Sequence, residues 1–188
     1  MTRMHGTTIV AVHKDGRSAL AGDGQVTLGE TIVKTGATKV RTLQEGGVAV
    51  GFAGAVSDAF TLLEKFEGQL TASKGNLLKA AVDTVKEWRT DRALRNLEAM
   101  LIVCDAREIL TLSGAGDVVA PDHPVAAVGS GAAYAQAAAM AMLKHSDLTA
   151  PQIAEEAIRI AGAIDLYTSG TPTVLTVPAE PEEASRDA

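Results

Sequence analysis

The stretch 47–70, GVAVGFAGAVSDAFTLLEKFEGQL, changes its period halfway along. Val48 to Ala53 is a nearly continuous run of small and β-branched apolar residues, as expected of a strand covered on both faces. Beyond it Ala59, Leu63, Phe66 and Leu70 recur at helical spacing, with Asp58, Glu64, Lys65 and Glu67 mostly on the other side. A break at Ser73-Lys74-Gly75-Asn76 leads into a second helix. Its stripe is Leu78, Val82, Val85 and Trp88, and its end, EWRTDRALR (87–95), is strongly charged. A strand followed by a pair of helices, rather than by one, is the feature that decides the fold.

Upstream the chain is β-rich. TTIVAVH (7–13) and RSALAGDG (17–24) read as strands around the turn Lys14-Asp15-Gly16, followed by ETIVKTG (30–36) and TKVRTL (38–43). Downstream come AMLIVCD (99–105), EILTLSG (108–114), a short extension at DVVAP and VAAVGSG (125–131). That last strand runs straight into the Ala- and Met-rich helix AAYAQAAAMAML (132–143). A fourth helix starts at the capping box Thr149-Ala150-Pro151-Gln152 and runs to about Ile164, and TPTVLTV (171–177) is a final strand. Residues 178–188, PAEPEEASRDA, are expected to be a disordered acidic tail. Helices in pairs argue against a doubly wound sheet, in which single helices alternate with parallel strands. The expected fold class is α+β, a four-layer αββα sandwich with two sheets face to face and a helix pair on each outer face.

The 188 residues suffice for one domain with a real core. Aromatics are only 3%, so that core must be built from Ala, Val, Leu and Ile. The net charge is −6, and no Lys/Arg patch is interleaved with aromatics, which argues against nucleic acid as a partner. No run of about 18 apolar residues occurs and no signal-peptide core opens the chain, so no membrane span is expected. The single cysteine, Cys104, sits in an apolar run and reads as a core residue of a protein in a reducing, cytoplasmic compartment.

Several chemistries find no support. His5, His13, His123 and His145 make no metal-ligand spacing. There is no G-x-S-x-G elbow. GSGAAYA (129–135) lacks the third glycine of a dinucleotide fingerprint. No P-loop occurs, so the chain cannot itself use ATP.

A hydrolase without a catalytic histidine can use a hydroxyl at its own N-terminus. The free α-amine has a pKa of about 7.7–8.0 and can serve as general base for the adjacent Oγ. Such a site needs a nearby positive charge, an anion to hold it, and backbone donors for the oxyanion. Asp23 in AGDG, Lys39 in ATKVR, Gly51 in VGFAG and Ser130 in GSG are candidates. Each also has a plain structural reading: Asp23 as turn former, Lys39 as edge-strand gatekeeper, Ser130 as helix N-cap. A lysine buried at Lys39 would need an anionic partner, for which Asp23 is the natural choice.

Taken together, TTIVAV, AGDGQVTLG, KVR, GFAGAVSDAFTLLEKFE, KEWRTDRALRNLEAMLIV and AVGSGAAYAQAAA resemble the HslV (ClpQ) peptidases, the bacterial relatives of proteasome β subunits. The likeness runs from Thr7 to about Tyr167. It implies the fold of N-terminal-nucleophile hydrolases and a threonine-type endopeptidase that degrades unfolded proteins in an internal chamber. Thr7 matches the nucleophile, Asp23, Lys39 and Ser130 the supporting residues, and Gly51 the oxyanion donor. It also implies a sodium ion bound through the backbone carbonyls of Gly162, Asp165 and Thr168, a homo-dodecamer of two stacked six-membered rings, and a separate ring ATPase, HslU (ClpY). Many relatives have an uncharged residue where Asp165 stands. The Arg-rich segment Arg89 to Arg95 is a candidate contact to a neighbouring subunit or to the ATPase, against the plain reading of a solvated helix face.

The register requires residues 1–6 to come off, by cleavage after Gly6 or through a start of translation at Met4 that leaves a shorter stub. Asp23 and Lys39 lie 16 and 32 residues after Thr7, which favours Thr7 over Thr2 and Thr8. Two other readings stay open on the residues alone: a noncatalytic ring subunit, and an amidohydrolase of the same architecture acting on small amides.

Overall fold

The computed structural model describes residues 4–54, 56–91 and 99–177. Its strands are β1 (Met4–His5), β2 (Thr8–Lys14), β3 (Arg17–Asp23), β4 (Val26–Leu28), β5 (Thr31–Lys34), β6 (Val40–Leu43), β7 (Val48–Gly54), β8 (Ala99–Cys104), β9 (Ile109–Ser113), β10 (Val118–Val119), β11 (Val125–Gly129) and β12 (Pro172–Val177). Its α-helices are α1 (Val56–Ala72), α2 (Leu77–Thr90), α3 (Ala132–His145) and α4 (Ala150–Gly162).

Two antiparallel sheets form the middle of the molecule, in the orders β11-β2-β3-β12 and β10-β9-β8-β7-β6. Between them lies a layer of Ile9, Ala11, Leu20, Val40, Ala49, Ile102 and Cys104. The outer face of the five-stranded sheet carries α1 and α2 through Phe66, Leu70, Val85 and Trp88. The outer face of the four-stranded sheet carries α3 and α4 through Ala135, Ala139, Ile153 and Ile158. These are the four layers that the paired helices imply. Alanine on α3 and α4 lets helix and sheet approach closely, and in this way the core closes with so few aromatics.

The β2–β3 hairpin turns where the sequence places it. Asp15 and Gly16 both take positive φ, 52° and 69°, as a two-residue turn compatible with strand twist demands. Cys104 is fully buried, and desolvation pushes its thiol pKa up to about 12. At the start of α4, the Gln152 side chain accepts from both the N–H and the hydroxyl of Thr149, each at 2.9 Å.

Three local expectations need correction. The stripe of α2 is turned by one residue: Leu77, Ala80, Ala81, Thr84, Val85 and Trp88 face the sheet, whereas Leu78 is half exposed and Val82 only partly buried. Small residues at 80, 81 and 84 carry the buried face without a strong apolar signal. The strand expected over 30–36 is only Thr31–Lys34, and it belongs to a separate sheet of order β1-β4-β5. The charged end of the second helix stops at Thr90, where Asp91 is extended (ψ 123°). Arg92 and Arg95 lie outside the described residues, as do residues 1–3 and the expected tail over 178–188.

Candidate active site

Thr7 lies immediately before β2, between the two sheets' ends, with Gly6 still attached. Its hydroxyl donates to the Gly6 carbonyl oxygen at 2.5 Å. The same oxygen accepts from Lys39 Nζ at 2.7 Å. The carbonyl that precedes the candidate nucleophile is therefore polarised by an ammonium and lies beside the Thr7 hydroxyl.

Lys39 reaches this place because it directly precedes β6, whose Val40 packs into the layer between the sheets. Its side chain is 5% exposed and donates to Asp23 Oδ1 at 2.8 Å and to the Gln25 carbonyl at 2.5 Å. Asp23, the last residue of β3, is fully buried. Its carboxylate also accepts from the backbone N–H of Thr8 (2.7 Å), Gln25 (2.8 Å) and Ser169 (3.2 Å). A buried carboxylate that accepts from this many fixed donors is held in one orientation and pins its cation. Burial lowers the Lys39 pKa from the ordinary lysine range, and the charge and hydrogen bond of Asp23 oppose that without overcoming it.

The opposite side of Thr7 is built by the junction of β11 and α3. Gly129 pairs with Thr8, and a Cβ there would come within 1.8 Å of the Thr7 carbonyl oxygen, so only glycine allows this approach. Ser130 N–H donates to that carbonyl at 2.9 Å. Ser130 Oγ donates to Asp165 Oδ2 at 2.7 Å, and Gly131, not Ser130, is the N-cap of α3. The Asp165 carboxylate also accepts from the Thr168 hydroxyl, which is 2.6 Å from that of Thr8. The glycines of GSG thus serve a close crossing of backbones, not a phosphate.

Gly51 is not brought into this group. It stands inside β7, opposite Val40 on one side and Ile102 on the other. Phe52 N–H donates to the Lys39 carbonyl, so Phe52 faces β6 and its neighbour Gly51 faces β8. The Gly51 N–H is directed into the ladder, away from any oxyanion. By the same alternation Gly54, the exposed last residue of β7, faces the side of β6, and β6 has already ended there.

Gly162, Asp165 and Thr168 lie on the turn that leaves α4. Asp165 N–H donates to Ala161 O at 2.7 Å, and Thr168 N–H to Asp165 O at 3.2 Å. Carbonyl oxygens at the negative end of a helix are suitable donors for a hard cation, so the residues present fit one. The Asp165 side chain is directed instead toward Ser130 and Thr168. Sequence reasoning missed this use of Asp165, and also missed Thr8, Gln25 and Thr168 as polar members of the site. The signal available was their clustering beside glycines at strand ends.

The family profile described as "Proteasome subunit" matches residues 4–177. The "ATP-dependent protease subunit HslV" of Petrotoga mobilis is 54% identical over 170 residues, 90% of this chain and 96% of that protein. The protein of the same name from Treponema denticola is 50% identical over 168 residues, 89% of this chain and 94% of that protein. The crystal structure of eukaryotic HslV from Trypanosoma brucei superposes with a TM-score of 0.86 at 43% identity, covering 91% of this chain and 99% of that one. Thiobacillus denitrificans BPH shares the fold at 20% identity, with a TM-score of 0.70 over 93% of this chain and all of that one. By sequence and by fold, the chain belongs to the proteasome subunit family and stands among its HslV-type protease subunits.

Proposed function

We propose that the chain is the proteolytic subunit of a two-component ATP-dependent protease and that Thr7, freed as the N-terminal residue, is its nucleophile. The observation that carries this is the bonding of one ammonium, Lys39, to both Asp23 and the carbonyl that precedes Thr7. Once residues 1–6 are gone, the Thr7 amine takes the Oγ proton, and Oγ attacks the carbonyl carbon of a peptide bond. The proton passes to the departing amine, leaving an ester on Oγ, which water then hydrolyses. Lys39, held by Asp23, stabilises the developing alkoxide and keeps the neighbouring amine neutral near pH 7. Gly54 N–H, at the open end of β7, is the donor we assign to the oxyanion in place of Gly51. Loss of one such donor typically costs about 2.7–4 kcal/mol of transition-state stabilisation.

The edge of β4 fits an extended peptide. In the uncut chain Met4 and His5 pair with Leu28 and Thr27 there, and the same backbone groups can receive a substrate strand. The chain carries no nucleotide-binding loop, so unfolding and feeding of protein substrates fall to a separate ring ATPase of the HslU type. Two stacked hexameric rings would enclose the site, and the cytoplasm is the compartment that its lone buried cysteine suits. A sodium ion on the carbonyls of Gly162, Asp165 and Thr168 would brace the turn that also presents Ser169 to Asp23.

The test is Thr7→Ala, assayed for peptide hydrolysis together with the ATPase. Activity at background supports the reading, and activity retained at the level of the unmodified protein sinks it.

A further inference from the structure

We propose that Gln25 is a positioning residue, whose side-chain amide fixes the carbonyl that anchors Lys39 to both the peptide-binding edge and the turn after α4. This rests on the reading of Thr7 as nucleophile.

In the uncut chain Lys39 Nζ has three oxygen partners: Gly6 O, Asp23 Oδ1 and Gln25 O. Removal of residues 1–6 takes the first away. The Gln25 carbonyl is then one of the two remaining anchors of the ammonium, and a carbonyl is held only as firmly as its peptide. At Gln25 the backbone N–H and the side-chain nitrogen are both tied. Its N–H donates to Asp23 Oδ2 at 2.8 Å. Its side-chain Nε2 donates to Thr27 Oγ1 at 3.1 Å and to Leu166 O at 2.9 Å. The residue is 4% exposed, and a buried amide is retained without loss only where its donors are satisfied.

The two amide partners lie in functionally different places. Thr27 sits on β4, opposite His5, on the edge where a peptide strand would lie. Leu166 belongs to the turn between α4 and β12 that also carries Asp165, Thr168 and Ser169. The amide therefore joins the substrate edge, the turn and the anchor of the ammonium in one rigid unit. Among the described residues, Asp23 of β3 is the charged side chain that acts on Lys39. The segment before β2 faces Lys39 with the Gly6 carbonyl and, after processing, with the Thr7 amine. The β3–β4 segment faces it with the Gln25 carbonyl.

The experiment is steady-state hydrolysis of a fluorogenic peptide amide across pH by the assembled peptidase with its ATPase, for the parent, Gln25→Leu, Gln25→Glu and Thr7→Ala. Gln25→Leu keeps the volume and removes both amide bonds. It should lower kcat about tenfold, leave KM within about twofold, and move the alkaline limb to lower pH, because Lys39 loses a fixed acceptor. Gln25→Glu removes the same donors but adds negative charge near Lys39, so kcat should fall while the limb moves to higher pH. Opposite displacements are a signature that damaged packing alone does not produce. Unchanged kcat in Gln25→Leu, or lower kcat with the limb unmoved in both variants, overturns the proposal. If Gln25→Leu does not assemble, Gln25→Glu decides alone by the same readings, and loss of assembly in both also counts against it. A Thr7→Ala enzyme that still hydrolyses the peptide refutes the assignment of the nucleophile instead, which separates the two failures.

Discussion

Two lysine–carboxylate pairs in this protein have the same chemistry and opposite situations. Lys39 and Asp23 meet at the end of the space between the sheets, with side chains 5% and 0% exposed. Lys65 and Glu87 meet across the outer face of α1 and α2, with side chains 39% and 31% exposed. Burial lowers the pKa of Lys39, whereas its hydrogen bond to Glu87 raises that of Lys65. An exposed pair is solvated whether or not its partner is present, and contributes little. A buried pair depends on its partner, because removing one member leaves an uncompensated buried charge. The difference in burial is what our proposal rests on when it places the chemistry at the Thr7 end and not on the α1–α2 face.

The largest effect should come from breaking the buried pair. Lys39→Met is expected to reduce peptide hydrolysis by at least about 100-fold, since one electrostatic stabiliser of the reacting oxygen is lost. It should also cost about 3–5 kcal/mol of stability by leaving Asp23 buried without its cation, as read from chemical denaturation. Lys39→Met combined with Asp23→Leu sharpens the contrast. Removing both charges should recover much of that stability, because apolar replacements of buried pairs are often neutral or better. Activity should stay lost, and a double variant that regains activity would break the link between the pair and catalysis.

A smaller effect is expected from pH. The Lys39 ammonium is lost as pH rises through a pKa below the ordinary lysine value of about 10.4, so kcat should fall on the alkaline side below that value. The sign for stability is the reverse. In the same window the unfolded chain binds this proton more tightly than the folded one, so the Lys39 contribution favours the folded state as pH rises. Parallel pH profiles of activity and denaturation midpoint should therefore diverge. The smallest effect is that of Lys65→Met or Glu87→Gln, for which no measurable change in hydrolysis and none in the denaturation midpoint is expected.

How far the sequence reveals this arrangement differs from region to region. The helix pairs and long strands were legible because the period shifts sharply, as at Val48–Leu70. Strands β1 and β4 were not, since two or three residues carry no period. The face of α2 is ambiguous by one residue in the sequence because Leu77 and Leu78 open two stripes that both end near Trp88, and the buried one is completed by Ala80, Ala81 and Thr84. The Lys39–Asp23 pair was legible from chemistry, as an oddly placed lysine needing an anion. The direction of the Gly51 N–H is illegible for a different reason. Whether a glycine's N–H is free depends on which neighbouring strand it faces, and only the register of β6 and β7 reveals that. The amide of Gln25 and the carboxylate of Asp165 were hidden for the same reason: their partners lie more than 30 residues away along the chain, at Leu166 and Ser130.

In the proposed mechanism Thr7 works as the chain's own N-terminus. Intact-mass and N-terminal sequence analysis of the purified, peptide-hydrolysing assembly tests it most directly. Chains that begin at Thr7 are expected, and Thr7→Ala assemblies that do not hydrolyse peptide. An active assembly whose chains all retain Gly6 would contradict it.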